Sequence, residues 1–344
     1  TLNPAYAVKF KVADASNAAI TEVVRVEWNI SKDGFAKPRV QIKPVELVGV
    51  TIQYVTGFNA KFIRDGGVGP GAKVRITRSG DVIPFLQEVV EPVTPQLPDF
   101  ECEWNSTGVD LVVVDKTNPT MRFEQLLDFF NTLDVPNLGE GNLREMFDAG
   151  FELPEDIIDL AADDVASLVG SRTIGKKIHQ GLHAKLKNIP IYQLMGAHPA
   201  FGRGVGVRKM KKLWEAFEGD MSMCSDLSNI TAVDGFDTKT ATKVMLGLPV
   251  FDAFLSNLGD LITIQPYEKV VGGAMDGKVV VFTGFRSKDL ELAVERAGGK
   301  MGSGVSSKTT YVVTENPSDG STKLTKAREL SIPIISVGEL RAML

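Results

Sequence analysis

The sequence predicts a multidomain protein of mixed α and β structure: a small β-barrel, then an all-α region of tandem helical hairpins, then a small α/β domain with a parallel sheet. Residues typical of strands dominate positions 18–92. Glycine clusters followed by short amphipathic runs dominate 121–250, and strands alternate with helices over 276–344. A length of 344 residues suits two or three such domains.

The composition limits the function classes. Hydrophobic residues make up 43% and the net charge is −5, so contact with nucleic acid would depend on local positive patches. Cys102 and Cys224 lie too far apart in sequence for a disulfide framework or a zinc-ligand spacing, and a reducing cytoplasm fits. No apolar run reaches membrane-spanning length and no signal peptide is recognisable, so no membrane partner is expected.

The barrel is predicted over residues 16–92. Glycine and proline mark its turns, and strands are expected at Ala18–Ile30, Glu46–Val55, Lys73–Thr77 and Pro84–Val90. Small barrels of about five strands often bind oligonucleotides. Arg75 and Arg78 flank one strand face, although on spacing alone a solvated face explains them better.

The helical region, predicted over 121–260, contains four glycine clusters that each precede an amphipathic run: Asn142–Phe147, Lys176–Leu186, Arg208–Phe217 and Thr238–Met245. A glycine turn that opens a helix leaves backbone N–H groups free at the positive end of the helix dipole, where phosphate can bind. The pattern predicts a tandem helix-hairpin-helix domain, closed by a helix at Asp252–Asn257, that holds DNA by its backbone. Plain turns between helices are the alternative, and for the first two clusters both explanations stay open.

The last two clusters favour DNA because lysine and arginine follow them directly. The residues of the helical region that we predict to contact DNA are Gly139, Gly141, Gly175, Lys176, Arg203, Gly204, Gly206, Arg208, Lys209, Gly235, Lys239 and Lys243.

The last region, 276–344, predicts a parallel sheet because strands alternate with helices. Thr283 and Gly284 follow its first strand, where phosphate sites often form in such sheets, and Lys308 is the candidate cation. A strand-end turn beside a solvated lysine explains the same residues, and on sequence alone it is the better explanation.

This order of regions resembles the C-terminal half of bacterial NAD-dependent DNA ligases. Val74 to Pro84 resembles that family's oligonucleotide-binding (OB) fold signature, and Gly298 to Lys300, Val305 to Val313 and Ser321 to Ala327 resemble its BRCT domain. The resemblance implies an OB-fold at 16–92, a helix-hairpin-helix domain at 121–260 and a BRCT domain at 276–344. Linkers are expected at 93–120, with room for one strand pair, and at 261–275.

The first residues, 1–15, resemble the last motif of the family's nucleotidyltransferase domain, in Ala5-Tyr6-Ala7-Val8-Lys9-Phe10. The resemblance implies that Lys9 stabilises negative charge on the adenylate phosphate. From the residues alone, a lysine in an apolar strand usually reaches to the surface. The nucleophilic Lys-x-Asp-Gly motif has no match, since Lys32-Asp33-Gly34 lacks the spacer and Asp276-Gly277-Lys278 opens the BRCT domain.

Two further positions depart from the family. Its four-cysteine zinc module is reduced to Cys102 within 93–120, so no zinc is expected. Lys32 stands where the family has an arginine. Lys32, Arg75 and Arg78 are predicted DNA contacts of the barrel, although a lysine cannot bind phosphate bidentately.

The sequence hypothesis is a nick-clamping, non-nucleophilic subunit or half of an NAD-dependent DNA ligase. It would seal nicked double-stranded DNA together with a separate adenylation subunit or domain, in the cytoplasm of a bacterium or a phage-infected host, and would be inactive alone. NAD and Mg²⁺ are expected in the complete ligase. A stand-alone DNA-binding scaffold and a piece cut from a full-length ligase are the alternatives, and Thr1 fits either a natural N-terminus or a fragment boundary.

Overall fold

The computed structural model describes residues 18–47, 49–78, 84–268, 273–316 and 320–344. Lys9, with the rest of the predicted adenylation motif, and Gly80 to Ile83 of the OB-fold signature lie outside these residues. The chain forms two compact units, one that ends at Tyr267 and one that begins at Glu268.

The first unit begins with a closed five-stranded barrel. Its strands are β1 (Ala18–Ile30), β2 (Phe35–Leu47), β3 (Val50–Thr56), β4 (Lys73–Arg78) and β5 (Pro84–Glu91). They follow the order β1-β4-β5-β3-β2, and β1 also pairs with β2, which closes the sheet on itself. Branched side chains at alternate positions fill the interior, among them Val23, Val40, Ile42, Val74 and Ile76. The predicted OB-type barrel is confirmed.

Most of the second strand has no counterpart among the expected strands, because Gly34 and Pro38 are local turn signals. Pro38 instead lies inside β2 opposite Trp28, where its carbonyl accepts a hydrogen bond from the Gly57 N–H at 3.1 Å. The predicted strand Glu46–Val55 is the end of β2 plus most of β3, separated at Gly49 by a left-handed φ of 72°.

A short helix between β3 and β4 was also missed. Helix α1 (Ala60–Gly66) begins after Asn59, whose side chain accepts a hydrogen bond from the Phe62 N–H at 2.8 Å. Ile63 of α1 is fully buried and belongs to the barrel core. The helix therefore covers one end of the barrel.

The strand pair expected after the barrel is present. Strands β6 (Cys102–Trp104) and β7 (Leu111–Val113) are antiparallel, and β7 pairs with β2 at Phe35 opposite Val112. The hairpin therefore extends the barrel sheet instead of forming a free linker.

The rest of the first unit is helical. The helices are α2 (Pro119–Leu133), α3 (Glu140–Asp148), α4 (Pro154–Ile158), α5 (Ala162–Leu168), α6 (Arg172–Leu186), α7 (Ile191–Ala197), α8 (Val207–Ala216), α9 (Leu227–Thr231) and α10 (Thr238–Leu258). They share one core rich in phenylalanine, including Phe123, Phe129, Phe130, Phe201 and Phe251. All four amphipathic runs singled out in the sequence lie in helices.

Helix α10, the last of the first unit, differs from the sequence-based expectations in two ways. Asp252–Asn257 is not a separate closing helix, because α10 continues through Pro249 with buried residues such as Val244, Phe251 and Phe254 along its length. Thr238–Leu261 is also long and apolar enough to cross a membrane by length and composition, so the statement that no apolar run reaches that length was wrong. Part of this helix is buried in the helical core, whereas Leu246 and Val250 on the same helix are exposed.

The second unit is a four-stranded parallel sheet flanked by helices. Its elements are β8 (Val279–Phe282), α11 (Lys288–Arg296), β9 (Lys300–Met301), β10 (Tyr311–Thr314), α12 (Thr322–Glu329), β11 (Ile334–Ser336) and α13 (Val337–Met343). The strand order is β11-β10-β8-β9. The predicted parallel sheet is confirmed, and only the two-residue β9 was not anticipated.

Candidate nucleic-acid interface

Two glycine turns open α8 and α10. Gly204 and Gly235 have φ values of 89° and 90°, the left-handed region that favours glycine. Gly206 precedes α8 as its N-cap residue with no side-chain capping bond. A Cβ atom at Gly204 or Gly206 would meet nothing within 4 Å. The backbone at the start of α8 is therefore uncapped and open to a ligand.

The start of α10 is different because it is capped by its own chain. Asp237 accepts a hydrogen bond from the Thr240 N–H at 2.8 Å. Hydrogen bonds from the side chain and backbone of Thr240 hold the pKa of the Asp237 carboxyl below its usual value, and nearby Lys209 adds to the effect. A charged carboxylate at this position competes with phosphate, so the α8 turn is the better anion site.

Two lysines connect these turns reciprocally. Lys243 of α10 donates from Nζ to the carbonyl of Arg203, in the turn before α8, at 2.7 Å. Lys212 of α8 donates from Nζ to the carbonyl of Asp234, in the turn before α10, at 3.4 Å. Each helix thus holds the turn that precedes the other. The two glycine turns therefore lie side by side.

The cations predicted at these turns are placed to meet an anion. Among the residues described, no carboxylate lies within 4.0 Å of the charged groups of Arg203, Arg208, Lys209, Lys239 and Lys243. Two of them lie over aromatic rings: the Lys209 Nζ is 5.2 Å from the centre of the Phe236 ring, and the Arg203 guanidinium carbon is 4.6 Å from that of Phe35. The local charge is therefore positive although the chain as a whole is negative.

The turn before α3 has an open backbone but a less suitable charge. Gly139 is an N-cap residue without a side-chain bond, and a Cβ at Gly139 or Gly141 would meet nothing within 4 Å. Glu140, however, is the first residue of the helix. A phosphate there would meet a like charge, so both explanations given for this turn remain available.

Gly175 does not lie where the sequence reasoning placed it. It is buried inside α6, and a Cβ there would lie 2.3 Å from the Cα of Ala166 in α5. The turn glycine of this pair is Gly170, with φ of 65°. We therefore assign Gly175 to close helix packing, while Lys176 beside it is exposed.

The barrel cations are already engaged. The Nζ of Lys32 lies 3.0 Å from the Asp128 carboxylate of α2, and the Nε of Arg75 lies 3.1 Å from the Glu88 carboxylate of β5. Exposed pairs of this kind contribute about 0–1 kcal/mol, so exchange for a phosphate would cost little. Arg78 ends β4 opposite Pro84, and its side chain lies outside the description.

In the second unit, Thr283 and Gly284 follow β8 as predicted. The Thr283 hydroxyl lies 3.2 Å from that of Ser321, the N-cap residue of α12. The Lys323 Nζ donates to the Phe282 carbonyl at 3.0 Å. The cation at this strand end is therefore Lys323.

The predicted cation Lys308 is wrong for this site. Phe282 pairs with Val313 in the parallel register, so Thr283 follows the strand level with the end of β10. Lys308 precedes β10 and lies at the opposite edge of the sheet. The strand alone separates the two ends by roughly 10 Å, at about 3.3 Å per residue.

Comparison with known proteins agrees with these folds. Residues 20–97 match the family described as NAD-dependent DNA ligase OB-fold domain, and residues 271–344 match the BRCA1 C Terminus (BRCT) domain. The chain therefore carries a barrel of the NAD-dependent DNA ligase OB-fold family and a BRCT domain. It is similar to the part of such ligases that carries these two domains.

The ligase relatives are viral and bacterial. A DNA ligase of Acanthamoeba polyphaga mimivirus is 36% identical, over 96% of this chain and 53% of its own length. A DNA ligase of Shewanella baltica is 28% identical, over 96% of this chain and 53% of its own length. A putative DNA ligase of Invertebrate iridescent virus 6 is 25% identical, over 98% of this chain and 54% of its own length. The chain thus spans about half the length of the curated relatives it matches.

The family that matches residues 20–97 implies NAD and a divalent metal ion for a complete ligase. In the described part of the chain, no group of three or more His, Cys, Asp or Glu side chains is placed to hold a metal ion. Lys9, the residue assigned to the adenylate phosphate, lies outside that part. NAD and Mg²⁺ are therefore not assigned to residues in the described part of the chain.

The sequence did not indicate Lys323 as the cation at this strand end, and it indicated Lys212 only as one of the cations that follow the Gly204–Gly206 turn. Lys323 could have been found, because a helix that follows a strand of a parallel sheet begins at the carboxyl edge, beside Thr283. The bond from Lys212 to the Asp234 carbonyl could not be found in this way, since it depends on how α8 and α10 pack.

Proposed function

We propose that this chain is the DNA-clamping part of an NAD-dependent DNA ligase, which binds the phosphate backbone of nicked duplex DNA. The proposal is carried mainly by the pair of reciprocally bonded glycine turns before α8 and α10, with their five cations that have no carboxylate partner in the described chain. Phosphate contacts fix the position of a protein on DNA without reading its sequence, as sealing of arbitrary nicks requires.

Within this proposal the helices form a tandem helix-hairpin-helix domain. Two helix pairs approach closely through a glycine: Gly175 of α6 against Ala166 of α5, and Gly196 of α7 against Val207 of α8. The second pair presents the uncapped α8 turn to the DNA. The domain would hold the backbone on both sides of the break.

The barrel would lie against the break itself. There it would hold the 3′-OH in line for attack on the adenylated 5′-phosphate, since fixed orientation of two reacting groups can lower a barrier by several kcal/mol, about 7–11 in the best cases. Lys9 would add charge stabilisation at the adenylate phosphate. The adenylation site, with NAD and Mg²⁺, would belong to a separate subunit or domain.

The first test is a nick-sealing assay with NAD. The chain is assayed alone and then together with a separately produced nucleotidyltransferase domain from the same source. Sealing only in the mixture supports the proposed division of labour. Tight nick binding without sealing in either assay would instead favour a DNA-binding scaffold.

Lys9 is tested in the same mixture. Lys9→Ala should abolish most sealing while leaving nick affinity nearly unchanged, because the lysine is assigned to the reacting phosphate and not to the clamp. Lys187→Ala, an exposed lysine in no predicted site, is the matched control. Loss of nick affinity in Lys9→Ala would contradict its assigned role.

A further inference from the structure

The hairpin of β6 and β7 has an ordered tip. The Asn105 side-chain oxygen accepts hydrogen bonds from the Val109 N–H at 3.1 Å and from the Thr107 hydroxyl at 2.9 Å. Gly108 completes the turn with φ of 66°. The strand pair expected in this linker region therefore ends in a tip that its own hydrogen bonds hold in place.

The hairpin is also fixed to the barrel. Its strand β7 continues the barrel sheet beside β2, and the Lys37 Nζ lies 3.0 Å from the Asp110 carboxylate. The side chains of Ala36 and Leu111 are buried in a small shared cluster. The position of the tip is therefore determined by the barrel.

The tip forms one wall of a cleft of about 640 Å³. The other walls include the barrel loop Lys32–Phe35, helix α2 and the glycine turn before α8. The Lys32–Asp128 ion pair and the hydrogen bond from the Gln125 amide to the Lys32 carbonyl, at 2.9 Å, join the barrel to α2 there. The cleft thus lies between barrel and helices within the first unit.

The cleft carries more positive than negative charge. Its cations are Lys32, Lys116, Arg203, Lys239 and Lys243, and its carboxylates are Asp33 and Asp128. Within the described residues only Lys32 of these cations has a carboxylate within 4.0 Å. A cleft lined by one sign of charge concentrates its field and attracts the opposite charge.

Lys116 is the new member of this set. Lys116 is exposed. Its Nζ donates a hydrogen bond to the carbonyl of Val113 at 3.2 Å, which holds the ammonium beside the end of β7. An ammonium has three donors, so two remain for a ligand.

We propose that this cleft takes one sugar–phosphate backbone of the bound DNA, so that the β6–β7 hairpin is a third DNA-binding element beside the barrel and the helices. The inference rests on the proposed function, since it extends the same surface. Gly202 and Arg203 line the cleft and belong to the α8 turn. The cations come from the barrel loop, the hairpin and two parts of the helical region, a spread that a chain of phosphates matches better than a single small anion.

The main experiment measures the affinity of the chain for nicked duplex as a function of salt. Lys116→Ala should bind roughly five- to tenfold more weakly at 100 mM salt, and the slope of log K against log salt should fall by about 1. Lys187→Ala removes the same charge outside the cleft and should change neither quantity. If Lys116→Ala leaves affinity and slope unchanged while the affinity of the unaltered chain falls steeply with salt, the proposed role of the cleft is wrong. The proposed function would remain intact.

A second measurement does not depend on affinity. A photocrosslinking residue, p-benzoylphenylalanine, at Ser106 in the cleft wall should crosslink to the nicked duplex, whereas the same residue at exposed Ser256 of α10 should not. Thermal unfolding of both variants establishes that they fold. Absence of a crosslink from Ser106 in a folded chain that binds DNA would also overturn the cleft. If the unaltered chain does not bind nicked duplex, both the proposed function and the proposed role of the cleft are wrong.

Discussion

Two groups of glycines in the helical region look alike in the sequence but have different structural roles. Gly175 and Gly196 lie inside helices, where a Cβ would come within 2.3 Å of the backbone of a neighbouring helix. Gly204 and Gly206 lie in a turn, where a Cβ would meet nothing within 4 Å. The first group lets helices approach each other, whereas the second leaves backbone open to an external partner.

The difference teaches that a glycine beside a lysine does not by itself indicate a phosphate site. Gly175 comes directly before Lys176, and Gly206 comes two residues before Arg208. Of the two glycines, only Gly206 lies at the start of a helix, where the N–H groups are uncapped. The decisive property is whether the position lies before the helix or inside it.

The largest effect is expected for the packing glycine. Gly175→Ala should lower the free energy of unfolding by roughly 3 kcal/mol, because the added methyl would overlap the backbone of Ala166 and force α5 and α6 apart. Chemical denaturation measures the change. Gly141→Ala, at an open position in the first turn of α3, is the control and should be neutral or slightly stabilising. Equal effects of both substitutions would erase the distinction between the two groups.

The next effect concerns His198, which lies between Gly196 and the α8 turn. Burial lowers its pKa to about 4, and its Nδ1 accepts the Ala200 N–H at 3.3 Å. Because the folded pKa lies below the unfolded one, stability is fully present above the unfolded value near 6.5 and is lost as pH falls toward 4. His198 alone should cost about 2 kcal/mol between pH 7 and pH 5.

The control for His198 is a side chain that still accepts the Ala200 N–H hydrogen bond but does not gain a proton in this pH range. His198→Asn retains an acceptor for the Ala200 amide, so its loss of stability between pH 7 and pH 5 should be smaller by about 2 kcal/mol. Parallel pH profiles of the two proteins, measured by denaturation, would show that His198 is not held neutral.

A smaller effect separates the two glycines of one turn. Gly204→Ala should cost about 1–2 kcal/mol of stability, because its φ of 89° is strained for any residue with a Cβ. Gly206→Ala should cost only about 0.5 kcal/mol, since its φ of −114° suits alanine. Both should weaken nick binding severalfold, and unimpaired binding by Gly206→Ala would argue against phosphate at this turn.

The smallest effect is expected for the lysines that connect the turns. Lys212→Met and Lys243→Met should each lower stability by less than about 1 kcal/mol, because each removes one exposed hydrogen bond. Lys239→Met removes a charge from the same surface without such a bond and should leave stability unchanged. If Lys239→Met is as destabilising as the other two, the reciprocal bonds do not hold the turns.

The sequence predicted those elements that local residue patterns determine. The Val, Ile and Thr residues of β1, the amphipathic run of α6 and the strand–helix order of the second unit are all local patterns in the chain. The exceptions are instructive. Pro38 signals a turn locally but lies within β2, and Pro249 would end an isolated helix but lies within α10, because in both places tertiary packing outweighs the local preference.

The candidate site was predictable only where one short segment supplies it. Gly204, Gly206 and Arg208 fall together in the sequence and in the turn. The contacts of Lys212 with Asp234 and of Lys32 with Asp128 join residues far apart in the chain, so no local sequence pattern predicts them. Lys308 failed for a different reason, because the predicted parallel sheet already places a residue before β10 at the end opposite to Thr283, which follows β8.

The hairpin after the barrel has a consequence for self-association. A closed barrel has no free strand edge, but β7 and β6 extend its sheet and leave β6 as an outer strand. An outer strand can pair with a strand of another molecule. Here it is only three residues long and has the exposed Glu103 at its centre, and short strands with charged residues pair poorly. The extension therefore adds a wall to the barrel without offering a ready template for aggregation.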